Sequence, residues 1–189
     1  SSHNLTNHHN FTCAGYYTLE EGTHSDGSNG FTITGLVTVE NGGTLNLSNS
    51  TTQTKSCGGI QIDSGGTFRA CRGTTEITGK NGSNYMFDNN GTFKHNLGTM
   101  HWKADTSSGT WYAMDGDTNY HVTDFWNIST EKVRSSGTEQ YRFWVGGAGR
   151  YLTVLNDIDV GANTTIFSSN GSAKMRHYGN LRQYGNLNL

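Results

Sequence analysis

Apolar and polar residues alternate one by one along much of this chain. The segment from Phe31 to Val39 reads FTITGLVTV, and the segment from Thr44 to Ser48 reads TLNLS. Alternation with a period of two is typical of a β-strand that buries one of its faces. No stretch of ten or more residues has the apolar spacing of an amphipathic helix. The pattern therefore predicts an all-β protein built from short strands.

A short turn phrase separates these strands and returns at a nearly constant interval. It reads VENGGTL at 39–45, IDSGGTF at 62–68 and FDNNGTF at 87–93, and a looser copy occupies 160–166. When the Thr or Asn of each copy, including the weaker ones, is taken as a marker, the markers fall at positions 23, 44, 67, 92, 110, 138, 165 and 186. Their mean spacing is about 23 residues, and self-similarity at such a period is the signature of a repeat architecture.

A unit of this length, with two or three short strands and Gly/Asn turns, has the size of one coil of a parallel β-solenoid. We therefore predict a single-stranded parallel β-helix of about seven or eight coils, stacked about 4.8 Å apart by ladder hydrogen bonds. The solenoid is expected over residues 18–189, after an N-terminal extension or cap at 1–17. Because 180–189 still reads as an unfinished coil, we expect a longer chain or an assembly. A β-sandwich is the alternative, although it does not predict one turn phrase at coil length.

The composition and charge of the chain limit the kinds of partner that it is expected to bind. The chain contains no proline, which fits a ladder-rich protein because proline cannot donate a ladder hydrogen bond. Its formal net charge of −2 and its scattered Lys and Arg residues argue against a nucleic-acid partner. No apolar stretch approaches the length of about 18 residues that a membrane span needs.

The three cysteines do not form a disulfide framework. Cys13 and Cys57 each lie ten residues before a marker Thr, so they are expected at the same place two coils apart. Two coils correspond to about 10 Å, which is too far for a disulfide. Free thiols, including Cys71, indicate assembly in a reducing compartment.

Aromatic residues are concentrated where the marker spacing is irregular. Insertions in repeat proteins map to loops, often on a binding face, and exposed rings stack on sugars or anchor subunit contacts. Packing in the core of wider coils is the alternative. The candidate binding residues, for a glycan or for a subunit contact, are Trp102, Trp111, Tyr112, Trp126, Tyr141 and Trp144.

Two acidic pairs and an N-terminal histidine group are the other candidate sites. Asp115 with Asp117, and Asp157 with Asp159, have three interpretations: turn chemistry, a calcium site, or a pair of catalytic carboxylates. His3, His8 and His9 belong either to a loose polar terminus or to a metal site on the axis of a symmetric trimer. The sequence contains no strong catalytic motif, and we expect no cofactor and no bound metal.

The phrase TVENGGTLNL at 38–47 resembles the coil repeats of right-handed parallel β-helix proteins. These include viral tail fibres and tailspikes, bacterial surface adhesins and pectate-lyase-like enzymes. The Asn/Thr/Gly richness, the missing proline and the free cysteines most resemble a structural protein of a virus or phage particle, which is often trimeric in that family. The resemblance implies a non-enzymatic fibre, spike or capsid-associated shaft on a virion or extracellular surface. It also implies a homo-oligomer, with a trimer favoured, and a host-surface polysaccharide as partner.

Two alternatives remain from the same resemblance. One is a fragment of a bacterial adhesin. The other is a polysaccharide lyase or glycosidase that uses Asp115, Asp117, Asp157 and Asp159. The lyase members of the family carry calcium-binding Asp residues and an Arg base on one sheet. This sequence shows no equivalent arrangement, so we expect no enzymatic activity.

Overall fold

The computed structural model describes residues 3–105, 112–114, 123–143, 151–168 and 174–188. All regular elements in these ranges are β-strands, as the alternation predicted. The strands of the first part are β1 Asn4–Thr6, β2 Phe11–Cys13, β3 Tyr17–Leu19, β4 Gly22–Ser25, β5 Phe31–Val39, β6 Gly43–Asn46, β7 Thr54–Ile62, β8 Thr67–Arg69, β9 Thr74–Ile77, β10 Phe87–Asn89, β11 Thr92–Lys94 and β12 Thr99–Trp102. The strands of the second part are β13 Tyr112–Met114, β14 Asp124–Phe125, β15 Asn127–Thr130, β16 Glu139–Phe143, β17 Tyr151–Val154, β18 Ile158–Val160, β19 Thr164–Ser168, β20 Lys174–His177, β21 Leu181–Gln183 and β22 Asn186–Asn188.

These strands wind into a parallel β-solenoid of about seven coils with a spacing of about 23 residues. Face 1 stacks β2, the first halves of β5 and β7, then β9, β12, β15, β18 and β21. Face 2 stacks β3, the second halves of β5 and β7, and β10, and it continues through β13, β16, β19 and β22. Face 3 stacks β1, β4, β6, β8 and β11, and the separate sheet of β14, β17 and β20 follows it, with Phe93 of β11 in contact with Phe125 of β14. The predicted fold class is confirmed.

The turn phrase has a structural meaning because its copies occupy one column of face 3. Thr23 pairs with Thr44, Thr44 with Thr67, and Thr67 with Thr92. Each residue that follows the Thr points inward. His24, Leu45, Phe68 and Phe93 therefore form a second column, which lies on the core side of the threonine column. The ring of Phe68 stacks on that of Phe93 with centroids 6.3 Å apart, and Phe93 contacts Phe125 of β14 at 5.5 Å.

The marker series holds only in part beyond β11. Thr165 pairs with Asn186, as the series predicted, but they lie on face 2 rather than face 3. The partner of Thr165 in the preceding coil is Gln140, so the assignment of Thr138 was wrong by two residues. The reason is that register follows the strand β16, whereas Gly137-Thr138 belongs to the connection before it. Thr110 lies outside the described residues.

The stacked strands also reach further towards the N-terminus than the boundary at residue 18. β1 pairs with β4, and β2 and β3 both pair with β5. Residues 4–19 therefore form a coil of their own. Its outer strand β1 is exposed, whereas β4 and β6 alternate between buried and half-buried residues.

The core is a set of inward columns that run along the stack. On face 1, Cys13, Ile33, Cys57, Ile77 and Trp102 are successive register partners. Cys13 and Cys57 thus hold equivalent places two coils apart, as expected, and all three cysteines are free thiols. Burial raises the pKa of Cys57 to about 12, so its thiol stays protonated. Within the described ranges, no helix is long and apolar enough to cross a membrane.

Candidate functional site

Trp102 lies in the core and not on a binding surface. Its side chain is fully buried, and the indole Nε1–H donates to the carbonyl oxygen of Ala113 at 2.9 Å. Its ring packs edge-to-face against Phe125 and Phe143. Of the two interpretations left open by the sequence, core packing applies to Trp102.

Tyr141 is buried in the same way. Its hydroxyl donates to the carbonyl oxygen of Glu131 at 2.7 Å and accepts from the N–H of Ala104 at 3.1 Å. Burial raises the pKa of Tyr141 well above its ordinary value, with a smaller contribution from the nearby Glu139. Tyr141 therefore joins two coils inside the stack.

The other candidate aromatics are more accessible but lie apart. Trp126 is half-buried at the corner between β14 and β15 and stacks on His95, with ring centroids 5.9 Å apart and planes at 21°. Tyr112 is half-buried on face 2 and packs on Tyr85 at 5.2 Å. Trp111 and Trp144 lie outside the described residues. The four described candidates thus occupy the core, one corner and one face, and they do not form one aromatic surface.

Asp157 is a hydrogen-bonding partner between coils. Its Oδ1 accepts the backbone N–H of Asn180 at 3.0 Å and the side-chain Nδ2 of Asn180 at 3.1 Å, and its own N–H donates to Asn127 Oδ1 at 2.9 Å. The backbone hydrogen bond from Asn180 lowers the pKa of Asp157 below its ordinary value. Asp159 is the register partner of Ser129 and Arg182 on face 1. Asp115 and Asp117 lie outside the described residues.

A charged group on the outer side of face 1 was not foreseen from the sequence. His101 Nδ1 lies 2.7 Å from Ser129 Oγ, and His101 Nε2 lies 3.2 Å from Glu131 Oε2. Lys103 Nζ is 3.4 Å from Glu131 and 3.6 Å from Glu76, and these two carboxylates raise the pKa of Lys103. The register of β9, β12 and β15 brings these residues together, although they are distant in sequence.

The order Ser129–His101–Glu131 has the composition of a hydrolytic triad but not its surroundings. Catalysis by such a triad depends on N–H groups that point at the developing oxyanion. Strand β15 pairs with β12 on one side and β18 on the other, so its N–H groups are directed into the ladder. These side chains therefore act as contacts between neighbouring coils.

No metal site is formed in the part of the chain that the structure describes. No three His, Cys, Asp or Glu side chains come together there as a metal would require. His3, His8 and His9 are all exposed near β1 and β2.

A groove follows the corner between face 1 and face 2, and we call it the Gly-lined groove. Its volume is about 280 Å³. It runs across the first four coils, at the point where β5 and β7 bend from one face to the other and where their pairing register shifts. The lining residues are Ala14, Gly15, Tyr16, Thr34, Gly35, Leu36, Gly58, Gly79 and Lys80.

Glycine is required at this corner because successive backbones approach closely. A Cβ on Gly58 would lie 2.2 Å from the carbonyl oxygen of Thr34, and one on Gly35 would lie 2.6 Å from that of Gly15. Four of the nine lining residues are glycines, which carry no side chain, and they form part of the floor of the groove. Tyr16, whose side chain is 81% exposed, and Lys80 stand beside this floor. The groove was not predicted from the sequence, because the close approach of Gly35 and Gly58 to the preceding coil depends on how the coils stack.

Comparison of the chain with protein-family models, with curated proteins and with solved structures finds no match.

Proposed function

We propose that this protein is a non-enzymatic structural shaft on the surface of a virus or phage particle, and that it binds a host-surface glycan in the Gly-lined groove. The groove is the observation that carries the proposal. It is concave, it extends along the stack for about 14 Å at about 4.8 Å per coil, and four of its nine lining residues are glycines. A linear polymer fits such a shape better than a compact ligand does.

The residues beside the floor favour a sugar as the occupant. The exposed ring of Tyr16 offers an apolar face on which a pyranose ring can stack. The hydroxyl of Thr34 donates to the carbonyl oxygen of Ala14 at 2.7 Å, which leaves its lone pairs for a sugar hydroxyl. The Lys80 ammonium donates to Asn84 Oδ1 and adds positive charge at the edge of the groove. This charge favours a sugar with a carboxylate or sulfate group.

Binding to a panel of neutral and acidic oligosaccharides tests the proposal. Tyr16→Ala is expected to weaken binding about tenfold, since truncation of an anchoring aromatic residue costs more than about 1 kcal/mol. Gly15→Leu is expected to weaken binding, because it adds a bulky side chain at a lining glycine whose Cβ would meet no atom within 4 Å. The matched controls are Tyr178→Ala, at a tyrosine that is 68% exposed elsewhere, and Gly82→Leu, at another unobstructed glycine outside the lining. Absence of binding by the folded wild type, or equal losses in the controls, would overturn glycan recognition.

The particle-surface role has its own test. An antibody against the folded protein should label projecting fibres or spikes in electron micrographs of particles from the source. Label on cell envelopes instead of particles would favour the adhesin alternative. For the enzymatic alternative, we expect no release of reducing ends from bacterial polysaccharides, because Asp157 is engaged with Asn180 between coils.

A further inference from the structure

One lysine lies in the core of the solenoid. Along the first part of β7, Lys55 and Cys57 are buried, whereas Thr54 and Ser56 are more accessible. Lys55 is the register partner of Thr75 in β9. The side chain of Lys55 is 0% exposed. Its Nζ lies 2.9 Å from Oδ2 of Asp26, which is 1% exposed, and it also donates to the carbonyl oxygen of Asn29.

The Asp26 carboxyl group is fixed by backbone donors. The N–H of Ser48 donates to its Oδ2 at 3.1 Å, and the N–H of Ser28 donates to its Oδ1 at 3.3 Å. The backbone of Asp26 is held as well, since its N–H donates to the carbonyl oxygen of Asn46 at 3.2 Å. The carboxyl group thus has one orientation, with an amine on one side and two N–H groups directed at its oxygens.

A buried ion pair of this kind is costly to maintain. Each ion loses its hydration on burial, and the mutual attraction offsets that loss only in part. Conversion of the pair to a neutral amide removes both charges from the core. Fixed proximity of two reacting groups also raises their effective concentration by several orders of magnitude.

We propose that Lys55 and Asp26 condense to form an intramolecular amide cross-link between neighbouring coils. A proton passes from the Lys55 ammonium to the Asp26 carboxylate, which gives a neutral amine and a neutral acid. The Nζ lone pair attacks Cγ of Asp26, and Oδ1 takes the negative charge of the tetrahedral intermediate, where the N–H of Ser28 stabilises it. Oδ2, which carries the transferred proton, is held by the N–H of Ser48 and is the leaving hydroxyl. The hydroxyl then leaves with a proton from Nζ as water. The reaction is carboxylic acid plus amine to amide plus water, and it needs no cofactor or oxidant.

Intact mass under denaturing conditions tests the proposal directly. The folded protein is expected to weigh about 18 Da less than its sequence, which is the mass of one lost water. A tryptic digest should lack cleavage after Lys55 and should contain one branched fragment that joins the peptides of Lys55 and Asp26. Lys55→Met should restore the full mass. Lys103→Met, at the half-buried lysine 3.4 Å from Glu131, is the control and should keep the deficit.

Two results would overturn the cross-link. One is the full sequence mass in wild-type protein that circular dichroism shows to be folded. The other is a deficit of the same size that persists in Lys55→Met, because Asp26 precedes Gly27 and an Asp-Gly pair can also lose water by closing to a succinimide. Sensitivity to hydroxylamine and an unbranched peptide map would identify that product. Neither result bears on glycan binding, which is measured separately.

Discussion

His24 is a histidine in a column of apolar residues. Its side chain is 1% exposed between Leu5 and Leu45, Tyr17 donates to its Nδ1, and its Nε2 lies 3.0 Å from Asn7 Oδ1. Burial lowers the pKa of His24, with a smaller opposing effect of Asp26. The imidazole is therefore a neutral hydrogen-bonding group inside the stack.

The lowered pKa predicts a loss of stability in mild acid. In the unfolded chain a histidine takes up a proton near pH 6.5, whereas in the folded chain His24 does so only at lower pH. The free energy of unfolding should therefore fall as the pH drops from about 6.5 through the folded pKa. In urea titrations, His24→Leu should reduce the slope of the free energy of unfolding against pH between pH 7 and pH 5. The substitution also removes the hydrogen bond from Tyr17. His8→Gln, at an exposed histidine, should keep the slope, and an unchanged slope in His24→Leu would contradict the assignment.

Residues differ in how far their place could be predicted from the sequence. Cys57 and Lys55 alternate with polar neighbours, so the period of two that places Cys57 inside also signals that Lys55 is inside. Its partner Asp26 could not be found this way, because their contact depends on how two coils stack. Trp102 and Tyr141 could not be assigned to core or surface, since an aromatic residue fits either environment.

At the scale of elements, the corner glycines determine how closely the coils approach. Gly58→Ala would place a methyl group 2.2 Å from the carbonyl oxygen of Thr34. Because backbone must move to accommodate it, we expect a loss of about 2 kcal/mol in the free energy of unfolding. Gly82→Ala, where nothing lies within 4 Å, is the matched control and should change stability by less than about 1 kcal/mol. Equal effects in urea titrations of the two variants would show that the corner is not tightly packed.

The elements could be predicted best where the turn phrase is most regular. Between Thr23 and Thr92 each copy lies in one column, because the phrase fixes both the turn and the first inward residue of the next strand. Beyond β12 the connections lengthen, and register is then set by the apolar side chains of the strands. For this reason the turn phrase at Thr138 did not give the register of β16, in which Glu139, Tyr141 and Phe143 are buried.

At the scale of the whole molecule, we predict a homo-oligomer, with a trimer favoured. A narrow solenoid has little core in each coil, so lateral association adds buried apolar surface. The half-buried Trp126, stacked on His95 at the corner between β14 and β15, is the aromatic residue that we expect at the contact. Light scattering should give a mass above that of one chain, and Trp126→Ala should lower it. Tyr184→Ala, at an exposed tyrosine in the last coil, is the control. A monodisperse wild-type monomer would contradict the prediction.

The stacked arrangement also decides how the protein responds to tension. Each coil contacts mainly the coils before and after it, so a load on the two ends can detach one coil while the others stay in place. Each detached coil of about 23 residues releases roughly 80 Å of extended chain at about 3.5 Å per residue. The molecule would lengthen in steps and dissipate energy at each one. A covalent bond between Asp26 and Lys55 would prevent the chain between these two residues from extending. The coils that it joins would therefore detach last and release the least length.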